Sequence, residues 1–280
     1  MNQPLFSILI ANYNNGRFFK DCYDSIIAQT YQNWEAIIVD DSSTDNSVQI
    51  IRHLIGDDKR FKLYHNEENK GCGFTKRRCV ELASGEICGF LDPDDAITVT
   101  ALDEMVTKHI EHPSVSLVYS NFVWCDENLN FQKVNKQKKI DNFLTDFFNL
   151  NGEISAFATF KNSFYQKTEK INNYLKRAVD QDLYFKLYEV GEVIYLDRDF
   201  YHYRVHDGGI STKSNSRKAY FWKWVTILDA AKRRNVNVED LFIENAWKTS
   251  RQRDLELEIN GYNKSVIFKI LRRLGIFRFF

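Results

Sequence analysis

Short apolar runs alternate with segments of helical period through the first third of the chain, and this alternation constrains the fold more than any other feature. Residues 6–11 (FSILIA), 36–39 (AIIV), 61–64 (FKLY) and 87–91 (ICGFL) are each bounded by polar residues or glycine. Runs this short suit strands buried on both faces, as in a parallel sheet covered by helices. Between them, helical spacing is carried by Phe19, Cys22, Tyr23, Ile26 and Ile27, and by Val48, Ile51, Leu54 and Ile55 after the cap-like Thr44-Asp45. Residues 74–83 continue the pattern. Strand and helix in this order predict a doubly wound α/β layer, in which ligands bind beyond the carboxyl ends of the strands. The loops that follow strands are therefore where chemistry is expected.

Acidic residues collect in two of those loops. Asp40 and Asp41 close the second apolar run, and Asp92-Pro93-Asp94-Asp95 closes the fourth. Neighbouring carboxylates repel, so they call for a function or a cation; a hard divalent ion together with a diphosphate supplies both. A single Asp-Asp pair reads equally well as a turn or a helix cap, but two such clusters at successive strand ends favour a nucleotide and metal site. The glycines of Gly71-Cys72-Gly73 belong to neither a P-loop nor a full dinucleotide fingerprint and read as a turn entering a helix.

After residue 114 the pattern changes to an apolar strand over 115–124, a polar connector over 126–139, and mixed segments ending in the strand-like runs 193–196 and 200–205. From Lys218 onward the sequence is helical. Residues 217–280 hold 14 Lys and Arg against 7 Asp and Glu, while the whole chain has 38 of each, so the extension carries +7 and the body −7. These features predict a domain over 1–216, with a ligand-binding half to about 112 and an acceptor-side half over 113–216, followed by a basic helical extension over 217–280. Hydrophobic residues at 44% and only three prolines indicate a globular chain. No nucleic-acid reading motif accompanies the basic stretch, so nucleic acid is disfavoured as a partner. Five cysteines without paired short spacings suggest neither a disulfide framework nor a zinc cluster. Together with the lack of a leader-like start or a long apolar run, they point to the cytoplasm.

Six segments in order resemble the soluble, non-processive glycosyltransferases of family 2, which have the GT-A fold. They are SILIANYN (residues 7–14), IIVDDSSTD (37–45), NKGCGFTKRR (69–78), ASGEICGFLDPDD (83–95), VDQDLYFKL (179–187) and YHYRVHDGGIS (201–211). The resemblance implies a nucleotide-diphosphate sugar as donor, a UDP-sugar by preference, a saccharide or lipid-linked saccharide as acceptor, and Mn²⁺ or Mg²⁺ as cofactor. It places Ala11, Tyr13 and Asp41 at the base and ribose, with Lys76 nearby where relatives usually have Arg. Asp92, Asp94 and Asp95 match the acidic motif that bridges protein, cation and donor phosphates. Asp180 matches the general base of the family's Glu-Asp pair, although Val179 replaces the Glu; Asp182 is a second candidate. Arg204 and His206 fall in the family's Tyr-Arg-x-His motif, the arginine toward phosphate and the histidine, with Asp94 and Asp95, toward the metal.

The chemistry agrees with that placement. Breaking a sugar–diphosphate bond puts negative charge on the leaving phosphate, where a cation stabilises it, and a separate carboxylate must take the acceptor's proton. With one base and no spare nucleophile assigned, the resemblance implies the family's single-displacement, inverting reaction. Residues 265–280 (SVIFKILRRLGIFRFF) add an amphipathic helix that suits either an anionic membrane surface or docking on the body. The competing functions are a nucleotidyltransferase of related fold and a non-catalytic carbohydrate- or nucleotide-binding protein.

Overall fold

The computed structural model describes residues 3–142, 144–211, 215–246 and 250–274. They fall into two compact units, Met1–Arg234 and Asn235–Phe280. The first opens with β1 (Phe6–Asn12), α1 (Phe19–Ile27), β2 (Trp34–Asp40), α2 (Ser47–Ile55), β3 (Phe61–His65), α3 (Cys72–Leu82) and β4 (Ile87–Phe90). These are the strands and helices that the apolar periodicity predicts. Its remainder comprises β5 (Ala96–Ile97), α4 (Ala101–Glu111), β6 (Val115–Cys125), β7 (Phe131–Asn135), β8 (Ala158–Lys161), α5 (Asn162–Tyr165), α6 (Val179–Tyr188), β9 (Glu192–Arg204) and α7 (Ser216–Arg234).

The nine strands among the described residues join one sheet in the order β3-β2-β1-β4-β8-β6-β9-β5, with β7 paired to β6. The first four strands are parallel to one another, so their carboxyl ends lie on one edge, whereas β4 meets β8 antiparallel. β6 and β9 are also parallel and pair from Val115 with Glu192 to Cys125 with Arg204, which brings residues of the second half to a common rim. Ile8, Ile10, Ala36 and Ile38 are sealed under the flanking helices, as expected for strands covered on both faces. The two runs at 193–196 and 200–205 are the parts of one strand, β9, whose pairing with β6 shifts register between Ser120 and Phe122. β7 lies within the stretch 126–139 that composition marks as a connector; only half-buried or exposed side chains line it, so hydrophobicity gives it no signal.

The first unit runs to Arg234, beyond the boundary at 216 suggested by charge. Helix α7 buries Trp224, Ile227, Ala230 and Ala231. Gln181 donates to Thr226 (2.9 Å), Lys223 to the Leu150 carbonyl (2.7 Å), and Arg233 and Arg234 both pair with Glu189 (2.9 and 2.8 Å). Part of its positive charge is thus met in the body, where Arg233 and Arg234 share the Glu189 carboxylate, and a count by segment cannot register this. The second unit contains α8 (Glu239–Asn245), α9 (Ser250–Lys264) and α10 (Val266–Arg273). On α10 and just after it, Val266, Ile267, Ile270 and Leu274 are exposed. Residues 275–280 of the expected amphipathic tail lie outside the described residues. No described helix is long and apolar enough to cross a membrane.

Candidate active site

The carboxyl ends of β1, β2 and β4 carry the first group of sequence-predicted residues. Ala11 is the penultimate residue of β1 and Tyr13 stands exposed just beyond it. Asp41 follows β2, and its amide donates to the Asn12 carbonyl (2.8 Å), so these positions share one corner of the sheet. Asp41 is buried and saturated with donors: its Oδ1 accepts from Asn66 Nδ2 (2.5 Å) and the Lys70 amide (2.9 Å), and its Oδ2 from the Gly71 amide (2.8 Å). It thereby fixes the turn into α3. Gly71 has a positive φ of 89°, and a Cβ at Gly73 would lie 2.5 Å from the Asn172 carbonyl oxygen. Glycine at 73 allows α3 to press against the chain leading into α6.

That approach brings Lys76 of α3 to the second half of the molecule. Lys76 is buried, its ammonium 2.7 Å from Asp180 on α6 and 3.2 Å from Asp92 after β4, above the Phe90 ring. Burial alone would lower its pKa, but Asp180 and then Asp92 outweigh that effect and hold the ammonium well above its ordinary value. One cation serves two carboxylates, and Asp180 has the shorter contact. Asp92 is consequently raised, by burial first and then, against the pull of Lys76, by Asp180 and Asp94. Asp92 and Asp180 remain about two-fifths exposed, so the cluster opens to solvent.

Asp182 is not part of that cluster. It is buried, accepts from Lys186 Nζ (2.8 Å) and the Asn172 amide (3.1 Å), and so ties α6 to the preceding loop. Two residues along a helix point to nearly opposite sides, which separates it from Asp180.

The other acids of the β4 loop divide in the same way. Asp94 Oδ2 lies 2.7 Å from His206 Nε2. The Gly208 amide donates to His206 Nδ1 (3.1 Å), so the ring proton resides on Nε2 and is given to Asp94. Asp95 is buried; Tyr201 Oη donates to its Oδ2 and the Arg204 amide to its Oδ1, both at 2.7 Å. Burial, then Asp94 and Asp92, push its carboxyl well above the usual range. Asp95 therefore anchors β9 to the loop instead of facing the cleft. Arg204 is likewise committed to protein: its guanidinium donates to the Asp94 carbonyl (2.6 Å), the Glu127 carbonyl (2.5 Å) and Asp21 (2.6 Å). It braces the acidic loop, with Nε, Nη1 and Nη2 each already donating to protein.

Among the described residues no group of three or more His, Cys, Asp and Glu side chains is gathered to hold a metal ion. Asp94 and His206 form a carboxylate–imidazole pair, a donor set that suits Mn²⁺ once the ring proton moves from Nε2 to Nδ1 and the Gly208 amide gives up its bond, and a divalent ion bound through one or two protein groups commonly completes its sphere with substrate phosphates and water. The residues fit an ion that arrives with a diphosphate. The pairing of Lys76 with Asp180, across 104 positions of sequence, had no signal in the segments themselves.

The sequence profile of glycosyl transferase family 2 matches residues 7–169, more than half of the chain, and the protein belongs to that family. An uncharacterized glycosyltransferase of Haemophilus influenzae is 36% identical over 142 residues, covering 50% of this chain and 56% of the relative. A chondroitin synthase of Pasteurella multocida is 27% identical over 218 residues, covering 75% of this chain but 22% of the synthase. The chain thus spans about half the length of the first relative and a fifth of the second. Among solved structures, S. aureus TarS 1-349 in complex with UDP-GlcNAc superposes with a TM-score of 0.65 at 22% identity, covering 80% of this chain and 66% of that one. The mannosyltransferase PcManGT from Pyrobaculum calidifontis, in complex with GDP-Man and Mn2+, gives 0.59 at 14% identity, covering 96% and 83%. These likenesses establish the fold, which is GT-A, as the sequence motifs imply.

Proposed function

We propose that the protein transfers one sugar from a nucleotide-diphosphate sugar, a UDP-sugar by preference, to a hydroxyl of a saccharide or lipid-linked saccharide, with inversion, in cell-surface polysaccharide or glycolipid synthesis. The observation that carries this reading is the convergence of Asp180 and Asp92 on the buried Lys76, which sets a solvent-accessible carboxylate beside the acidic loop of β4. Asp180 takes the proton of the acceptor hydroxyl. Ala11, Tyr13 and the loop held by Asp41 receive the base and ribose, and Lys76 faces the donor from below Asp92. Asp94 and His206 hold Mn²⁺ or Mg²⁺, with Asp95 and Arg204 supporting them from behind. When bound, the ion stabilises negative charge on the leaving diphosphate. Family membership and the nucleotide sugars named in the TarS and PcManGT complexes support the donor class.

Product analysis tests the reaction. Incubation with a panel of UDP-sugars, Mn²⁺ and saccharide acceptors should release free UDP and a glycosylated acceptor. Pyrophosphate released in a parallel incubation with UTP and a sugar 1-phosphate would establish a nucleotidyltransferase instead, and absence of any product in both incubations would leave a binding protein. We further assign to the tail a place at the cytoplasmic face of a membrane. Exposed Val266, Ile267, Ile270 and Leu274 lie among Lys269, Arg272 and Arg273, a composition suited to anionic lipid. Deleting residues 265–280 should weaken sedimentation with anionic liposomes while leaving the melting temperature nearly unchanged; a large fall in melting temperature would show a docked helix.

A further inference from the structure

The acidic loop of β4 has a strand-built flank on each side. The carboxyl ends of β1 and β2 lie on one side of β4, and β6, β9 and β7 on the other. Residues paired in register across a sheet share one face, and along β7, β6 and β9 this aligns Lys133, Trp124 and Tyr203. The side chains follow that row: Trp124 and Tyr203 meet edge to face with centroids 5.0 Å apart, and the Lys133 ammonium lies 5.9 Å from the centre of the Trp124 ring. Two residues before Tyr203, on the same face of β9, Tyr201 donates to Asp95 (2.7 Å) and accepts from the Asp92 amide (3.2 Å). The row therefore adjoins the acidic loop and leads outward from it: Tyr201 is buried, Tyr203 and Trp124 are half-buried, and Lys133 is exposed.

The charge beside this row has one sign. Residues 128–140 contain Lys133, Lys136, Lys138 and Lys139 and no acid. All four lysines are exposed, and among the described residues only Lys136 has a carboxylate partner, Asp197 at 2.6 Å. β7 pairs with β6 alone, and lysine on such an open edge discourages further strand pairing, but that role asks for no aromatic row beside it. Aromatic rings offer flat apolar surface to the C–H faces of sugar rings, and ammonium groups without a counter-charge attract carboxylate or phosphate. With the base and ribose on the β1–β2 flank, the β6–β9 flank is left to the acceptor. Resting on the transferase reading above, we propose that Tyr203, Trp124 and Lys133 open a lane along β7 that binds the acceptor, and that this acceptor is an acidic saccharide chain bearing carboxylate or phosphate groups.

The test is calorimetric titration of the whole chain, without added metal, with oligogalacturonate, phosphomannan oligosaccharides, maltodextrin of similar length and inorganic polyphosphate. At least one acidic saccharide should bind more tightly than both the neutral chain and the sugar-free polyanion, and which one does so tells carboxylate from phosphate. Lys133→Gln should weaken that binding about two- to fivefold, and the combined change at Lys133, Lys138 and Lys139 about tenfold. Lys59→Gln, equally exposed but placed before β3, should leave it unchanged, and all variants should bind UDP with Mn²⁺ as the parent does. Failure of both acidic saccharides to bind, binding of maltodextrin or polyphosphate as tight as theirs, or affinities indifferent to the three lysines would each overturn the proposal. Binding requires no turnover, so an acidic chain held through Lys133 by a protein that releases no UDP from any UDP-sugar would sink the transferase reading alone. Sugar transfer to an acceptor whose binding ignores the three lysines would sink the lane alone.

Discussion

The loop after β2 and the cleft between the β4 loop and α6 are both rich in aspartate, yet they use it oppositely. Asp40 and Asp41 are buried, and their oxygens accept from Asn12, Ser43, Asn66, Lys70 and Gly71. Asp92 and Asp180 stay partly exposed and share one ammonium, while Asp94 faces a histidine. The first set spends its charge on fixing backbone; the second leaves negative charge that the protein does not fully neutralise. Carboxylates of the first kind position a site, and those of the second kind can bind a cation or move a proton.

Neighbouring members of the two kinds should therefore respond differently to the same substitution. Asp180→Asn preserves size and most hydrogen bonding but cannot take a proton at neutral pH. Its turnover should fall by roughly 10²–10⁴-fold with UDP and Mn²⁺ affinity unchanged, as steady-state kinetics and calorimetry would show. Asp182→Asn should act on stability instead. It leaves Lys186 buried without its counter-charge, a loss of about 3 kcal/mol that denaturant unfolding would record, with turnover per folded molecule close to the parent. A dead but stable Asp182→Asn, alongside an active Asp180→Asn, would exchange their roles.

The contrast extends to histidine. His206 faces Asp94 in the cleft, whereas His109 is sealed on α4 with Nε2 against Thr159 Oγ1 (3.0 Å) and Nδ1 without a partner. Burial, and secondarily Lys161, lower the His109 pKa to about 3. The unfolded chain protonates this imidazole near pH 6.5 while the folded chain resists, so its contribution is complete above 6.5 and is lost as pH falls from there toward 3. The slope should approach about 1.4 kcal/mol per pH unit. Urea unfolding between pH 7 and 5 should show the decline, and His109→Gln should flatten it; identical slopes in parent and variant would exclude His109 as the source.

Much of the donor side was legible in the sequence because it depends on local order. The apolar runs of β1 to β4 and the helical spacing between them set the parallel layer, and strand-end acids in such a layer necessarily meet on one edge. The division of labour among those acids was not legible. Asp95 and Asp94 are adjacent in sequence, and only the return of β9, with Tyr201 and the Arg204 amide, commits one of them to structure. Likewise, Arg204 reads as a phosphate ligand until Asp21 and Glu127 are seen to occupy it.

The central claim is that the open acids await a donor that brings its own cation. Calorimetric titration of UDP, once with Mn²⁺ and once with chelator, tests this directly. Asp94 and His206 offer an ion only two protein groups, and the diphosphate is repelled by the acid cluster until a cation lies between them. UDP should therefore bind weakly under chelator and markedly more tightly with Mn²⁺, and Asp94→Ala should abolish the difference. Equal UDP affinity in both titrations would contradict the account.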